Sequence, residues 1–158
     1  MWPEPVERVA RELRAAAIDA TIQEFPEGTP TADAAARAIG CRLEQIVKSI
    51  VFVCDGAFVL VLVPGNRRAD EESVAAALDA SDIRVAGANE VLAATGFEPG
   101  AVAPFPLAAI DTVLIERTIL QHTRVWIGAG TPSHMAGLSS AELQRLSGAR
   151  TADVVGPR

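Results

Sequence analysis

Residues 45–63 read QIVKSIVFVCDGAFVLVLV. Two β-branched and aromatic runs, Ile46–Cys54 and Ala57–Val63, flank Asp55-Gly56. Apolar runs joined by Asp-Gly are a strong short-range signal for a β-hairpin. The second run does not alternate apolar with polar residues, so its strand is expected to be covered on both faces. A strand of that kind needs structure packed on each side, which makes the hairpin the centre of the fold. Lys48 interrupts the first run. Of the 14 basic residues in the chain, 13 are arginine and Lys48 is the only lysine. Taking an ammonium out of water costs on the order of several kcal/mol unless a partner offsets it. Two readings stand at this point. Lys48 either snorkels at a strand end with its head in water, or it is a compact point charge placed where arginine would not serve.

At 158 residues the chain has the length of one ordinary domain and can bury a real core. Aromatics are 4% and tyrosine is absent, so that core is expected to be aliphatic. The start, MWPEPVERV, has no basic segment followed by an apolar one, and no apolar run approaches the roughly 20 residues that span a bilayer. A cytoplasmic protein without membrane contact is expected. Cys41 and Cys54 stand apart without CxxC or Cys/His spacing and read as free thiols. A net charge of −6 argues against a nonspecific nucleic-acid coat, DNA included, but not against a partner touched at one end by a few placed cations.

Around the hairpin the pattern predicts a helix over Glu4–Ile18 and a short strand over Thr21–Phe25. A helix over Ala32–Ile39 has Thr31 as N-cap and Gly40 as stop. Asp70 caps a helix through Leu78, Ile83–Ala86 reads as a short strand, and Asn89 caps a helix through Thr95. Phe97–Leu107 is a loop with three prolines, too rigid for a linker and too apolar to be solvated. Thr112–Ile115 and Thr123–Ile127 read as strands, the second followed at once by Gly128-Ala129-Gly130. Ser139 and Glu142 form a capping box for a helix to Leu146. The expectation is one α+β domain: residues 1–20 its N-terminal helix, 21–149 its body, and 150–158 a mobile tail.

The familiar constellations are missing. There is no HExxH, GxSxG elbow, P-loop or strand-to-helix GxGxxG. With two histidines and no partnering motif, neither a metal site nor a cofactor is expected. His122 reads as exposed. His134, just beyond the glycine turn, is an open case. What remains is the strand lysine, the Gly100–Phe105 loop and the Gly128–Gly130 turn. Glycines at a strand end let backbone N–H groups approach a carbonyl or a developing oxyanion, although a tight turn is their commoner role.

Six segments carry a resemblance: Pro26–Cys41 (PEGTPTADAAARAIGC), Gln45–Phe52 (QIVKSIVF), Pro64–Asp70 (PGNRRAD), Thr95–Phe105 (TGFEPGAVAPF), Val125–Pro132 (VWIGAGTP) and Leu138–Gly148 (LSSAELQRLSG). In this order the chain resembles the bacterial YbaK/ProX-type aminoacyl-tRNA deacylases, relatives of the editing domain of prolyl-tRNA synthetases. The resemblance implies a mixed, curved β-sheet surrounded by helices, and hydrolysis of the ester joining a wrong amino acid to the 3′-terminal ribose of tRNA.

It also implies roles for residues. Lys48 falls on the family's essential lysine, with Gly128 and Gly130 on its glycine turn around Ala129. Gly100, Pro104 and Phe105 fall on its Gly-x-x-x-Pro loop, together with Ala101 and Val102. Phe25 and Pro26 match the segment covering the amino-acid pocket, Asn66 a polar position after the hairpin, and Ser49 and His134 adjoin the site. Apart from the resemblance, Arg67 and Arg68 read equally as candidates for phosphate contacts or as exposed charges. The implied partner is the acceptor end of aminoacyl-tRNA, bound by a monomer or weak homodimer. Two departures touch the pocket. Ala101 stands where the loop often has a second glycine, with Pro106-Leu107 near the site of a histidine, and Ser49 replaces an asparagine that some members carry after the lysine.

Overall fold

The Asp55-Gly56 turn closes a two-residue hairpin in which Cys54 faces Ala57 and Val47 faces Pro64. Asp55 (φ 49°) and Gly56 (φ 83°) both take the left-handed region that such a turn requires. The structure, a computed structural model, describes residues 2–157. In chain order its elements are α1 (Glu4–Ala15), β1 (Thr21–Glu24), α2 (Ala32–Ile39), a 3-10 turn (Leu43–Gln45), β2 (Val47–Cys54), β3 (Ala57–Pro64), α3 (Glu71–Leu78) and β4 (Ile83–Val85). They continue with α4 (Ala88–Thr95), β5 (Thr112–Glu116), a 3-10 turn (Arg117–Gln121), β6 (Arg124–Gly128), β7 (His134–Ser139), α5 (Ser140–Ser147) and β8 (Arg150–Ala152).

β3 is the middle of a five-stranded mixed sheet ordered β4-β2-β3-β5-β8. Its side chains alternate between two cores, as a pleated strand covered on both faces must. Leu60 and Leu62 enter the larger one with α1, α4, α5, β6 and β7, while Val59, Val61 and Val63 pack with Val74 of α3 and Val154. A second, antiparallel sheet, β1-β7-β6, lies across the larger core and packs its other side on α2 through Trp126, Met135, Ala35 and Ala36. The mixed sheet that the resemblance implies is the five-stranded one, and the three-stranded sheet meets its edge through a bridge between Ile46 and Trp126.

Several boundaries differ, each for a physical reason. α1 ends at Ala15, not Ile18: Ala17 (φ 55°) turns left-handed, and Ile18 N–H returns to the Leu13 carbonyl (3.0 Å), which sends the Ile18 side chain into the core. α4 starts one residue before Asn89, and its entry is closed by the Glu90 carboxylate accepting from Gly87 N–H (2.9 Å). β7 has no sequence signal, because HMAGLS is weak in β-formers. It is a strand because it is paired on both sides, by β1 and β6, with Gly137 leaving room for the ring of Trp126 opposite. The mobile tail expected from Arg150 onward is not one. β8 pairs with β5, Val155 bridges Ala69, and Val154 is fully buried, so apolar Val154 and Ala152 hold the segment in the second core.

Candidate functional site

Lys48 sits at the start of β2, opposite Val63, where the strand leaves the 3-10 turn. Its ammonium is partly enclosed and donates a 2.6 Å hydrogen bond to the Arg67 carbonyl. Burial, and after it the nearby charge of Arg68, holds its pKa below the ordinary lysine value. Of the two initial readings, the geometry opposes the first, a head lying in open water. The head is not free in water, and it has no carboxylate partner among the described residues.

Lys48 borders a cleft of about 310 Å³, at the small end of ligand sites. β2 contributes Val47 and Ser49, the N-terminal end of α2 Thr31, Ala32 and Ala35, and the proline-rich loop Gly100 and Val102. β6, β7 and their connection add Gly128, Thr131, His134 and Met135. The local sequence explains the shape. Thr31 caps α2 by accepting from Ala34 N–H (3.0 Å), which aims that helix end at the cleft. Gly128 lets β6 run hard against the loop: a Cβ there would stand 2.7 Å from the Val102 carbonyl oxygen.

The structure thus brings together six of the residues expected at the site: Lys48, Ser49, Gly100, Val102, Gly128 and His134. The others lie elsewhere. Phe25 packs under α2 with Ile46 and Trp126, and with Pro26 borders a neighbouring apolar groove. Phe105 is core, in contact with the larger cluster, and Ala101, Pro104 and Ala129 are buried beside it. Gly130 (φ 104°) faces α1, where a Cβ would lie 2.7 Å from the Pro5 carbonyl oxygen, so its requirement for glycine is one of packing. Asn66 lies outside the cleft, past Lys48, with its Oδ1 enclosed and unpartnered among the described residues. The expected backbone donors also narrow. Ala129 N–H is committed to the His134 carbonyl (3.1 Å) and Ala101 N–H to the Glu98 carbonyl (3.0 Å). Gly100 and Val102 N–H have no partner among the described residues.

His134 is buried in the cleft wall, with Nδ1 2.5 Å from the Thr131 hydroxyl and Nε2 3.8 Å from the Glu24 carboxylate. His122, expected to be exposed, is half-buried at the end of the second 3-10 turn. Thr131, Met135 and the α2 residues were not singled out from sequence. Their only signal was the PEGTPTADAAARAIGC segment and the residues just past the glycine turn, which carry no chemistry until folding brings them to the cleft that Lys48 borders. Both cysteines are free, and burial raises both thiol pKa values. No three His, Cys, Asp or Glu side chains come together as a metal site among the described residues. No helix among them is long and apolar enough to cross a membrane.

Comparison with known proteins agrees with this architecture. A solved structure described as a candidate trans-editing enzyme for prolyl tRNA synthetase superposes with a TM-score of 0.92 at 31% identity, covering 99% of this chain and 100% of that one. The proline–tRNA ligase of Lactobacillus gasseri is 33% identical over 102 residues, 65% of this chain but 18% of the ligase. The uncharacterized protein YwhH of Bacillus subtilis is 29% identical over 126 residues, 80% of each chain. The chain therefore spans about a fifth of the length of the ligases it matches. The model of the aminoacyl-tRNA editing domain matches residues 26–146, well over half of the 158, and the chain belongs to that family.

Proposed function

We propose that the protein is a trans-editing hydrolase that deacylates mischarged aminoacyl-tRNA at the ester of the 3′-terminal ribose. The observation that carries this reading is that Lys48 lines one small cleft together with Gly100 and Val102, whose backbone N–H groups are unpaired among the described residues. Lys48 is a cation without a carboxylate partner among the described residues, suited to hold the terminal phosphate and so position the ester. The free N–H groups, with the backbone at Gly128, suit the acyl carbonyl and the charge that forms on it. Water adds to the acyl carbon, the bond from that carbon to the ribose oxygen breaks, and the ribose oxygen leaves with a proton. A neighbouring ribose hydroxyl is the proton carrier in this scheme. The wall that sieves side chains is made of Ala32, Ala35, Val102 and Met135 rather than Phe25 and Phe105. Such a sieve separates substrates by about 1–3 kcal/mol per methylene, which is why a second site of selection serves translation.

A second reading keeps the hydrolysis and changes the base. His134 is in the cleft, held by Thr131 and close to Glu24, an arrangement able to carry a proton for another small ester. A panel of correctly and wrongly charged tRNAs, assayed for amino-acid release, tests the first reading. Release from one or more mischarged tRNAs is expected, and no release from any would overturn it. Hydrolysis confined to simple esters and lost on His134→Ala favours the second.

A further inference from the structure

The cleft has two exits of opposite chemistry. One shares Pro30 and passes over Phe25, Pro26 and Ala34, and its charged residue is a carboxylate, the exposed Glu27. The other begins at Lys48 as a trough of about 560 Å³ lined by Leu43, Gly65, Asn66, Arg67 and Arg68. It meets a second trough of about 250 Å³ that shares Asn66 and Arg67 and reaches Gln121 and His122. In a chain of net charge −6, these contiguous troughs hold Lys48, Arg42, Arg67 and Arg68 against one carboxylate, Glu44, which is already paired with Arg42 at 3.0 Å.

Arg67 and Arg68 differ in what occupies them. The Arg67 guanidinium donates to the Gly156 carbonyl, so it is fixed but keeps its charge. Arg68 is exposed and has no ion pair or hydrogen bond from its side chain among the described residues. It stands near enough to Lys48 that its charge opposes protonation there. Two cations held close with no carboxylate between them repel each other, and an anion placed on them relieves that repulsion.

We propose that this trough holds the phosphodiester backbone of the unpaired 3′ end of an RNA, which runs from the terminal ribose at Lys48 past Arg68 toward Gln121 and His122. The inference rests on the deacylase reading for its choice of RNA and adds a direction to it. Arg68 supplies a phosphate contact, and His122 and Gln121 present a ring and an amide suited to an unstacked base. The Glu27 exit repels phosphate and is left to the amino-acid side.

The test is binding, so that it does not depend on turnover. Fluorescence anisotropy compares a labelled RNA hairpin carrying an unpaired 3′ tail with the same hairpin lacking the tail. The wild type should prefer the tailed RNA. Arg68→Glu should bind it roughly tenfold more weakly, with a log–log salt slope shallower by about 0.7 for each phosphate no longer neutralised, and should no longer prefer the tail. Arg68→Ala should fall between the two. Equal binding of both RNAs by the wild type, unaltered binding by Arg68→Glu, or a loss equal on tailed and untailed RNA would overturn the proposal. Tail-dependent binding without hydrolysis of any charged tRNA would sink the deacylase reading and leave this one standing. Hydrolysis with tail binding indifferent to Arg68 would do the reverse.

Discussion

The Lys48 ammonium and the Arg67 carbonyl are joined by a 2.6 Å hydrogen bond, so the loop after the hairpin holds the lysine. That loop is held in turn by the C-terminal segment. The Arg67 guanidinium donates to the Gly156 carbonyl, Ala69 bridges Val155, and Asp70 N–H donates to the Val154 carbonyl at 2.8 Å. Val154 N–H then donates to Glu116 Oε1 (3.0 Å), whose other oxygen accepts from the N–H and hydroxyl of Thr118. A buried carboxylate thus anchors the strap that fixes the loop behind Lys48.

Replacing that anchor should cost stability. Glu116→Ala leaves the buried Val154 N–H and the Thr118 N–H without acceptors, at about 1–3 kcal/mol for each group left unpaired. Urea unfolding should show the midpoint falling by a corresponding amount. A midpoint unchanged within error would mean that the strap is not held this way.

The two glycines of the β6–β7 turn should fail differently. In Gly128→Ala the new methyl meets the Val102 carbonyl at 2.7 Å and displaces the loop that lines the cleft. Misplacing a positioning group by about 1 Å can cost on the order of 10²-fold in rate, so turnover is where this variant should suffer. Gly130→Ala meets Pro5 at 2.7 Å with φ at 104°, and it should lose stability by about 1–3 kcal/mol instead. Steady-state kinetics beside urea unfolding separates the two. Normal stability with poor turnover in Gly130→Ala would contradict this division of roles.

Arginine should not replace the lysine. Lys48 reaches a carbonyl 2.6 Å away in a partly enclosed position, where a point charge on a flexible stem fits and a planar fork does not. Lys48→Arg should lose roughly 10²-fold in kcat/KM despite keeping the charge. Activity within a factor of about two of wild type would show that charge alone suffices, contrary to the positioning role.

The pH dependence follows from the direction of the lysine shift. Burial and then Arg68 lower the Lys48 pKa from 10.5, so the folded protein loses this proton at lower pH than the unfolded chain. The cation disappears as pH rises through the lowered value. Across that alkaline window the unfolded state binds more protons, so the contribution of Lys48 to stability rises with pH while the contribution to activity falls. After correction for spontaneous ester loss, kcat/KM should drop on the alkaline side before 10.5 is reached. Arg68→Ala removes one cause of the shift and should move that limb to higher pH. A limb that stays put or moves down contradicts this origin.

The hairpin, both faces of β3 and the caps of α2, α3 and α5 were legible in the sequence, because each depends on local chemistry: Asp-Gly, a continuous apolar run, and Thr31, Asp70 and Ser139 at N-caps. β7 and β8 were not. HMAGLS and RTA hold no strand signal of their own and become strands only through partners outside their own segments, such as Trp126 facing Gly137 across one ladder and Leu114 facing Arg150 across the other. The same limit applies to the site. Lys48 could be singled out because it is the lone lysine of the chain, and Gly128 because it ends a strand. Gly130 and Phe105 looked equivalent to them along the chain. Which glycine faces the cleft and which faces Pro5, or which phenylalanine lies in the core, is decided by α1 and the larger sheet packing against that turn and loop.

The most direct measurement is single-turnover hydrolysis of a mischarged tRNA by wild type and by Lys48→Ala, with folding of both checked by urea unfolding. A positioning role for Lys48 predicts release by the wild type and a fall of about 10²–10³-fold in the variant, since one positioned charge at the reacting end is removed. Equal rates for two equally folded proteins would contradict it.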